Sequence, residues 1–487
     1  MKLLKVYISA FCMCSLSVLL NSCDDFLKEE PLDMKSSDQF WKTKADAESG
    51  VNALYFGGVP YLHNTDVGGG WTPKATMWGG IVSGLYVDKR KDRTFTTASE
   101  GCNFNIESFD DIAMKYWHEF YKGISRANFV IANIPTMTGV LDEATINNYV
   151  AQGKFFRAYG YFWLVKEFGG VPYISEPYTS TEGMYKERLS AEEVYKKIEA
   201  DLLDIVNGDA LPNKTFYDNG CYVTRAMAQT LLAQVYLQWA GAPLNGGTDY
   251  YGKAAQMALK VINDSPHELI HPNGTTDDLS SAYNVIKTTK SSAEIIYAKE
   301  YNYSDYSVGN SYACRSIGTD AFQWGVFHPG GDVLYNAYLP CDMLLNSYAS
   351  NDIRGHEKQF FFKKYTDAAG KTYTLNNAGN WAWFDENALI SGHDGDYNMP
   401  VFRFAEVLLI AAEGLARTNH EDNAVGGAKY YLNQVRKRAG LADETATGND
   451  LIQSILTERL HELPLEFKIW DDIRRTRLYP EASTESG

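Results

Sequence analysis

Apolar residues recur along much of the chain at the three- and four-residue spacing of helix faces. The clearest stripe runs from residue 151 to residue 165, and Gly169-Gly170 with Pro172 just beyond predicts where that helix ends. Ser190 and Glu193 match a capping box, which predicts the start of the next helix. Further stripes predict helices after Thr224, around 254–261, at about 404–417 and 424–438, and from about residue 450.

The predicted helices follow one another as antiparallel pairs. Small alanines at helix contacts, with large residues one turn on, are typical of tetratricopeptide units. The sequence therefore predicts a mostly α-helical, tetratricopeptide-like scaffold (an α superhelix) forming a single domain over residues 37–487. Two long irregular insertions, at about 57–109 and 302–398, are rich in Gly, Tyr, Trp and Asn. Long loops on a rigid scaffold are where function usually lies.

The first 22 residues have the pattern of an export signal. Lys2 and Lys5 precede an apolar run over 6–20, which is shorter than the ~20 residues that span a bilayer. Leu20-Asn21-Ser22-Cys23 resembles a bacterial lipobox, in which cleavage leaves Cys23 as a lipid-modified N-terminus. We therefore predict a lipoprotein signal over 1–22, and a lipidated Cys23 with a polar tether over 23–36. The alternative is an ordinary secretory signal with a chance cysteine.

Composition narrows the classes of function. The chain carries 45 Lys and Arg against 61 Asp and Glu, a net charge of −16, which argues against nucleic acid as a partner. Tyr, Phe and Trp make up 14% of the chain, and their flat faces with polar edges suit recognition surfaces that stay partly wet. The four cysteines outside the signal and anchor are scattered (Cys102, Cys221, Cys314 and Cys341), so free thiols or a single bridge are both compatible with the sequence.

Two patterns suggest metals, and neither is complete. His267-Glu268-Leu269-Ile270-His271 matches the HExxH zinc pattern, with Glu294 as a candidate third ligand, but the prolines at 266 and 272 leave barely one helical turn. Asp394, Asp396 and Asn398 resemble the start of a calcium loop without the glycine and glutamate of an EF-hand, so a looser calcium contact remains open. We predict a non-catalytic protein with no metal and no cofactor.

Several motifs recur in a characteristic order along the chain: 25–31, Trp117-His118-Glu119-Phe120-Tyr121, 153–159, 168–172, 401–413, 433–440, 458–466 and Trp470-Asp471-Asp472-Ile473-Arg474-Arg475. Together they resemble the SusD/RagB family, the outer-membrane nutrient-binding lipoproteins of Bacteroidota. The family's Pro-rich ending is not matched before Gly487, so we expect a truncated C-terminal end. Charged residues beside the helical stripes are expected to be paired within the scaffold: Arg157, Arg403, Glu406, Arg436, Glu458 and Arg459.

The resemblance implies a non-catalytic protein on the outward face of the outer membrane. It would bind a nutrient, a glycan or oligosaccharide by analogy with characterised members, and pass it to a SusC-like TonB-dependent β-barrel transporter. Some relatives are expected to deliver peptides instead. A surface helical adhesin or scaffold that binds protein is the main alternative, and a surface hydrolase is the third.

Aromatic residues in the two insertions are the candidate ligand contacts, because sugars offer C–H faces to flat rings. No binding residue follows from the family motifs, since these loops diverge among members. The candidates are Trp71, Trp78 and Tyr86 in the first insertion, and Tyr301, Tyr303, Trp324 and Trp381 in or beside the second.

Overall fold

The computed structural model describes residues 39–59, 80–87, 110–178, 180, 183–271, 277–306, 308–328 and 338–479. Helices dominate these residues, which confirms the predicted mostly α-helical fold. The α-helices are α1 (Lys44–Phe56), α2 (Asp110–Asn133), α3 (Glu143–Phe168), α4 (Ala191–Asn207), α5 (Arg225–Ala240), α6 (Gly247–Asp264), α7 (Ala282–Thr288), α8 (Tyr303–Tyr306), α9 (Asp342–Leu345), α10 (Glu386–Ser391), α11 (Phe404–Ala416), α12 (Ala428–Arg438), α13 (Gly448–Glu462) and α14 (Ile469–Thr476).

In the described part of the chain, six short strands form three two-stranded antiparallel ladders. The strands are β1 (Tyr86–Val87), β2 (Ile295–Lys299), β3 (Leu339–Pro340), β4 (Phe361–Thr366), β5 (Thr372–Asn380) and β6 (Met399–Arg403). They pair as β1 with β3, β2 with β6 and β4 with β5. None of these ladders was predicted from the sequence.

Local sequence signals account for the helix ends. The C-cap of α3 is Gly169, whose φ of 68° suits a residue without a Cβ, as the Gly169-Gly170 pair predicted. The N-cap of α4 is Ser190, and both halves of its capping box with Glu193 are formed. Helix α12 begins at Ala428, four residues later than the predicted 424, after a turn in which Gly426 has a φ of 95°.

The helices stack in chain order, each one against the next. Contacts run from α2 to α3, α4, α5 and α6, and α11 then packs directly on α6. The helical stack is therefore continuous across the second insertion, which leaves the scaffold after α6 and returns at α11. Close approach of these two helices requires Gly414, since a Cβ there would lie 2.5 Å from the carbonyl oxygen of Tyr251.

Two ladders hold the insertions in place. Strands β2 and β6 close the base of the second insertion, with Ile295 opposite Arg403 and Lys299 opposite Met399. Strand β1 of the first insertion pairs with β3 of the second, with Tyr86 opposite Pro340. The described end of the first insertion is therefore joined to the second insertion by this ladder.

The predicted pairing of scaffold charges is confirmed. Arg157 forms a bidentate pair with Asp201, with nitrogen–oxygen distances of 2.7 and 2.8 Å. A larger buried network contains the guanidinium groups of three arginines and the carboxylates that surround them. Its members are Arg354, Arg403, Arg438, Asp352, Glu294, Glu458, Glu462 and Glu466. The other predicted residues are also paired: Arg436 with Glu458, Glu406 with Lys468, and Arg459 with Asp472.

A small separate core lies within the second insertion. It consists of Ile317, Ala321, Phe327, Phe362, Tyr365, Leu375, Phe384 and Leu389, which come from the β4–β5 hairpin and the segments around it. We call this the insertion core. Trp324 and Trp381 pack against this core as partly buried rings.

Candidate functional site

The predicted ligand contacts separate into four groups in the structure. Trp71 and Trp78 lie outside the described residues, as does Cys23, the predicted lipidation site. Tyr86 and Tyr301 are buried, Tyr303 is half-buried at the edge of the second insertion, and Trp324 and Trp381 pack on the insertion core.

Tyr86 and Tyr301 are each only 1% exposed. The hydroxyl of Tyr86 donates to the carbonyl oxygen of Pro464, and its ring stacks on Tyr338 with ring centroids 4.3 Å apart. The backbone nitrogen of Tyr301 donates to Asn398 Oδ1 at 2.9 Å. The structure gives both rings a role in packing rather than on a ligand surface, so we leave them out of the proposed site.

Tyr303 stacks on the imidazole of His393, with ring centroids 4.4 Å apart and an angle of 16° between the ring planes. Asp396 fixes this segment, because its carboxylate accepts from the backbone nitrogen of Tyr303 at 2.6 Å and from Ser304 Oγ at 2.5 Å. Tyr306, one turn on, is 75% exposed. The calcium-like residues Asp396 and Asn398 are thus engaged in holding the candidate aromatic segment.

Trp324 and Trp381 rest on opposite parts of the insertion core. The indole of Trp324 stacks on Tyr373 at a centroid distance of 4.8 Å. The indole of Trp381 stacks on Phe384 at 5.1 Å. Both rings are only partly buried, so part of each remains accessible.

Trp381 is held and oriented by residues that sequence reasoning did not identify. Its Nε1 donates to Asn284 Oδ1 at 2.7 Å, and Asn284 is buried. The ammonium of Lys287 lies 4.0 Å from the centroid of the indole, and that of Lys358 lies 5.3 Å away. Burial, partly opposed by the nearby Asp385 carboxylate, lowers the pKa of Lys287 to about 7. No sequence signal could have found this arrangement, since Lys287 and Asn284 lie on α7, far from Trp381 along the chain.

The HExxH residues are not arranged for zinc. Residues 265–271 follow the end of α6 and form no helix, so the two histidines do not share a helical face. His267 Nδ1 lies 2.8 Å from the carbonyl oxygen of Ala293. The carboxylate of Glu294 is occupied by Arg403 at 2.7 Å and Arg438 at 2.5 Å. Across the described part of the chain, no group of three or more His, Cys, Asp or Glu side chains has the geometry of a metal site.

Two further features bear on where the protein acts. Within the described ranges, no helix is long and apolar enough to span a bilayer. Cys221 and Cys341 are free thiols, as one of the two sequence alternatives allowed.

The fold and the candidate site define a helical-repeat protein that carries aromatic insertions on one continuous scaffold. The sequence model of the SusD family matches residues 322–485. A second model, described as starch-binding associating with outer membrane, matches residues 81–237. Both matches are to SusD-like models, and they confirm the resemblance to the SusD-like family that the motifs indicated.

Individual relatives agree with that assignment. SusD-like protein P2 of Formosa agariphila is 27% identical over 494 residues, covering 97% of this chain and 91% of the relative. A SusD superfamily protein from Parabacteroides distasonis has a TM-score of 0.78 at 25% identity, with 91% of this chain and 90% of that chain covered. Surface glycan-binding protein A from Bacteroides thetaiotaomicron, solved in complex with laminarihexaose, has a TM-score of 0.65 at 20% identity, with 89% and 90% covered. The last likeness is one of fold.

Proposed function

We propose that this protein is a surface-exposed, lipid-anchored glycan-binding protein that presents oligosaccharides to a SusC-like TonB-dependent transporter in the outer membrane. The observation that carries the proposal is the set of partly exposed aromatic rings on the rigid insertion core. Trp324 and Trp381 are partly exposed there, and Tyr303 adds a ring at the edge of the same insertion. Family membership supports a nutrient-binding role, and a relative of the same fold binds laminarihexaose.

The chemistry of these residues fits a sugar. An indole face packs against the C–H face of a pyranose ring, and nearby amide, carboxylate and ammonium groups can bond to its hydroxyls. Trp381 has such polar neighbours in Lys287 and Lys358. Trp71 and Trp78 belong to the proposed site as well, as the sequence predicted for the first insertion.

Isothermal titration against a panel of glycans and peptides tests the proposal. Heat released on binding a saccharide supports the proposal. Binding to protein or peptide alone supports the adhesin alternative, and hydrolysis of an added ligand supports a hydrolase. Loss of one stacking ring is expected to weaken binding of the best saccharide by about 1–3 kcal/mol. If Trp71→Ala, Trp78→Ala, Trp324→Ala and Trp381→Ala all bind that saccharide like the unmodified protein, the site lies elsewhere.

A lipid-anchored helical protein can bind a nutrient but cannot itself move it across the membrane. The bound nutrient would therefore have to pass to a transporter. A tether over residues 23–36 would keep the body within about 50 Å of the membrane, because an extended chain spans at most ~3.5 Å per residue. That short reach raises the effective concentration of the protein at a membrane-embedded partner. Purification from native membranes in mild detergent tests this step: co-purification of a large β-barrel protein supports it, and recovery as a lone monomer in every detergent counts against it.

A further inference from the structure

A groove on the helical scaffold is lined, among the described residues, by side chains that belong to neither insertion. It runs between α2 and the loop that joins α3 to α4, and it encloses about 410 Å³. Sites for small molecules commonly measure about 300–1,000 Å³, so the groove can hold a ligand of the size of a short oligosaccharide. Two other cavities, at about 50 and 60 Å³, hold only a few water molecules.

Aromatic rings line this groove on both sides. Trp117 contributes from α2, and Tyr178 and Tyr185 contribute from the loop. Trp117 is partly exposed, and Tyr185 is fully exposed at the rim. The Trp117 ring is held by Tyr121 and Phe168, with ring centroids 5.0 and 5.3 Å away, and Trp and Tyr combine a flat apolar face with a polar edge that suits a partly wet surface.

Polar side chains without partners stand beside these rings. Ser125, Glu176 and Lys186 line the same groove. None of the three has a hydrogen bond or ion pair with any other residue that the structure describes, apart from a distant approach of the Lys186 ammonium to the Tyr178 ring at 6.0 Å. A hydroxyl, a carboxylate and an ammonium supply both donors and acceptors, which matches the alternating hydroxyls of a sugar rather than an apolar ligand.

The groove is formed before any ligand arrives, because buried polar contacts fix its floor. Tyr121 donates from its hydroxyl to the carbonyl oxygen of Pro172 at 2.6 Å. Asn128 donates from Nδ2 to the carbonyl oxygen of Ile174 at 2.9 Å, and its own Oδ1 accepts from Arg157 at 3.1 Å. A preorganised wall reduces the entropy lost on binding.

We infer that this groove is a second saccharide-binding site, separate from the proposed site on the insertions and built from Trp117, Tyr178, Ser125, Glu176 and Lys186. The inference rests on the proposed function for its ligand class. It adds that the scaffold itself, and not only the insertions, contacts the bound glycan.

Titration of the full-length protein with six-unit α-1,4-glucan, β-1,3-glucan and xyloglucan oligosaccharides tests the inference. Two sites per chain are expected for at least one of them. Glu176→Gln and Lys186→Met keep the shape of the groove and remove its charges, and each is expected to weaken one of the two sites about tenfold. Tyr178→Ala is expected to abolish that site, while Trp381→Ala weakens only the other. Val425→Ala, a substitution at an exposed position on a different face, serves as the control.

The possible results separate this inference from the proposed function. One site per chain that survives all groove substitutions overturns the inference and leaves the proposed function intact. If saccharide binding persists in Trp381→Ala and Trp324→Ala but is lost in the groove variants, the inference is upheld and the proposed site on the insertions is rejected. Groove variants that bind every oligosaccharide normally but lose a co-purifying membrane protein make the groove a protein contact, and the inference fails. No saccharide binding at all overturns both.

Discussion

Arg403 donates from Nη1 to Glu294 Oε1 at 2.7 Å, and this buried pair joins two residues 109 positions apart. Glu294 immediately precedes β2 and Arg403 is the last residue of β6, so the pair lies where the second insertion leaves and re-enters the scaffold. The backbone nitrogen of Phe404 donates to the carbonyl oxygen of Glu294 at 2.9 Å beside it. The charge network of the helical core therefore fixes the position at which the second insertion joins the scaffold.

Glu294→Gln is expected to lower the free energy of unfolding by about 1.5–3 kcal/mol, because it removes the carboxylate that Arg403 and Arg438 share. Both guanidinium groups are then left to the remaining buried carboxylate of Glu462. Both Arg403 and Arg438 lose an ion pair in this variant. Urea denaturation followed by circular dichroism measures the change. Lys154→Ala is the control: it breaks an ion pair of 2.6 Å with an exposed carboxylate and should cost about 1 kcal/mol or less. Equal losses in the two variants would contradict a structural role for the buried network.

Gly414→Ala tests the continuity of the helical stack across the insertion. The added methyl would lie 2.5 Å from the carbonyl oxygen of Tyr251 and 2.9 Å from Ala255 Cβ, so α11 must move away from α6. We expect a loss of about 1–3 kcal/mol in the free energy of unfolding. Gly252→Ala on the facing helix meets nothing closer than 3.8 Å and should be neutral or stabilising by up to about 1 kcal/mol. Thermal unfolding of both variants measures these changes. An unchanged unfolding free energy in Gly414→Ala would contradict the close packing of α11 on α6.

The pH dependence of stability should carry a contribution from Glu466. Burial, partly opposed by Arg403, raises the pKa of this carboxyl from 4.5 to about 7. Between those two values the folded protein holds a proton that the unfolded chain releases, so the free energy of unfolding falls as the pH rises from about 4.5 to about 7. The fall due to this group should be about 1–3 kcal/mol.

Glu466→Gln isolates that contribution, because its amide does not titrate. Urea denaturation at a series of pH values gives the unfolding free energy of the unmodified protein minus that of Glu466→Gln. This difference should fall steadily from about pH 4.5 to about pH 7 and stay constant at higher pH. A difference that is constant across the whole range would show that Glu466 does not hold a proton in the folded protein.

Cys23→Ala is expected to release the protein from membranes. With several acyl chains at about 0.8 kcal/mol per buried CH₂, the lipid would supply the whole of the membrane affinity. Fractionation of cells that express each form, with detection in the membrane and soluble fractions, measures the effect. Ser22→Ala, which keeps a small residue before the cysteine, should remain in the membrane fraction; retention of Cys23→Ala there would exclude the anchor.

Local sequence signals predicted the parts of the fold that are themselves local. The stripe of α3, its end at Gly169 and the capping box of α4 all depend on residues within one or two helical turns. The β1–β3 and β2–β6 ladders could not be predicted, because each joins short strands far apart in the chain. Pairing of the scaffold charges was expected, but the partners came from distant helices.

The candidate site was harder to predict for the same reason. Residue type shows that a tyrosine can stack on a sugar, but not whether its loop folds back onto the scaffold. The Tyr86 hydroxyl bonds to Pro464, 378 residues away, and the ring is buried as a result. Trp117 belonged to a family motif on a helix, and nothing in the sequence set Tyr178 opposite it across a groove.

The pairing of β1 with β3 has a consequence for how such proteins diversify. Strands β2 and β6 close the base of the second insertion, but Asp352 and Arg354 within it belong to the charge network of the helical core, so a replacement loop would have to keep that contact. Strand β3 must also find its partner strand in the first insertion. Recombination between relatives, or grafting by design, would therefore have to transfer both loops together, and new specificities would be inherited as matched pairs.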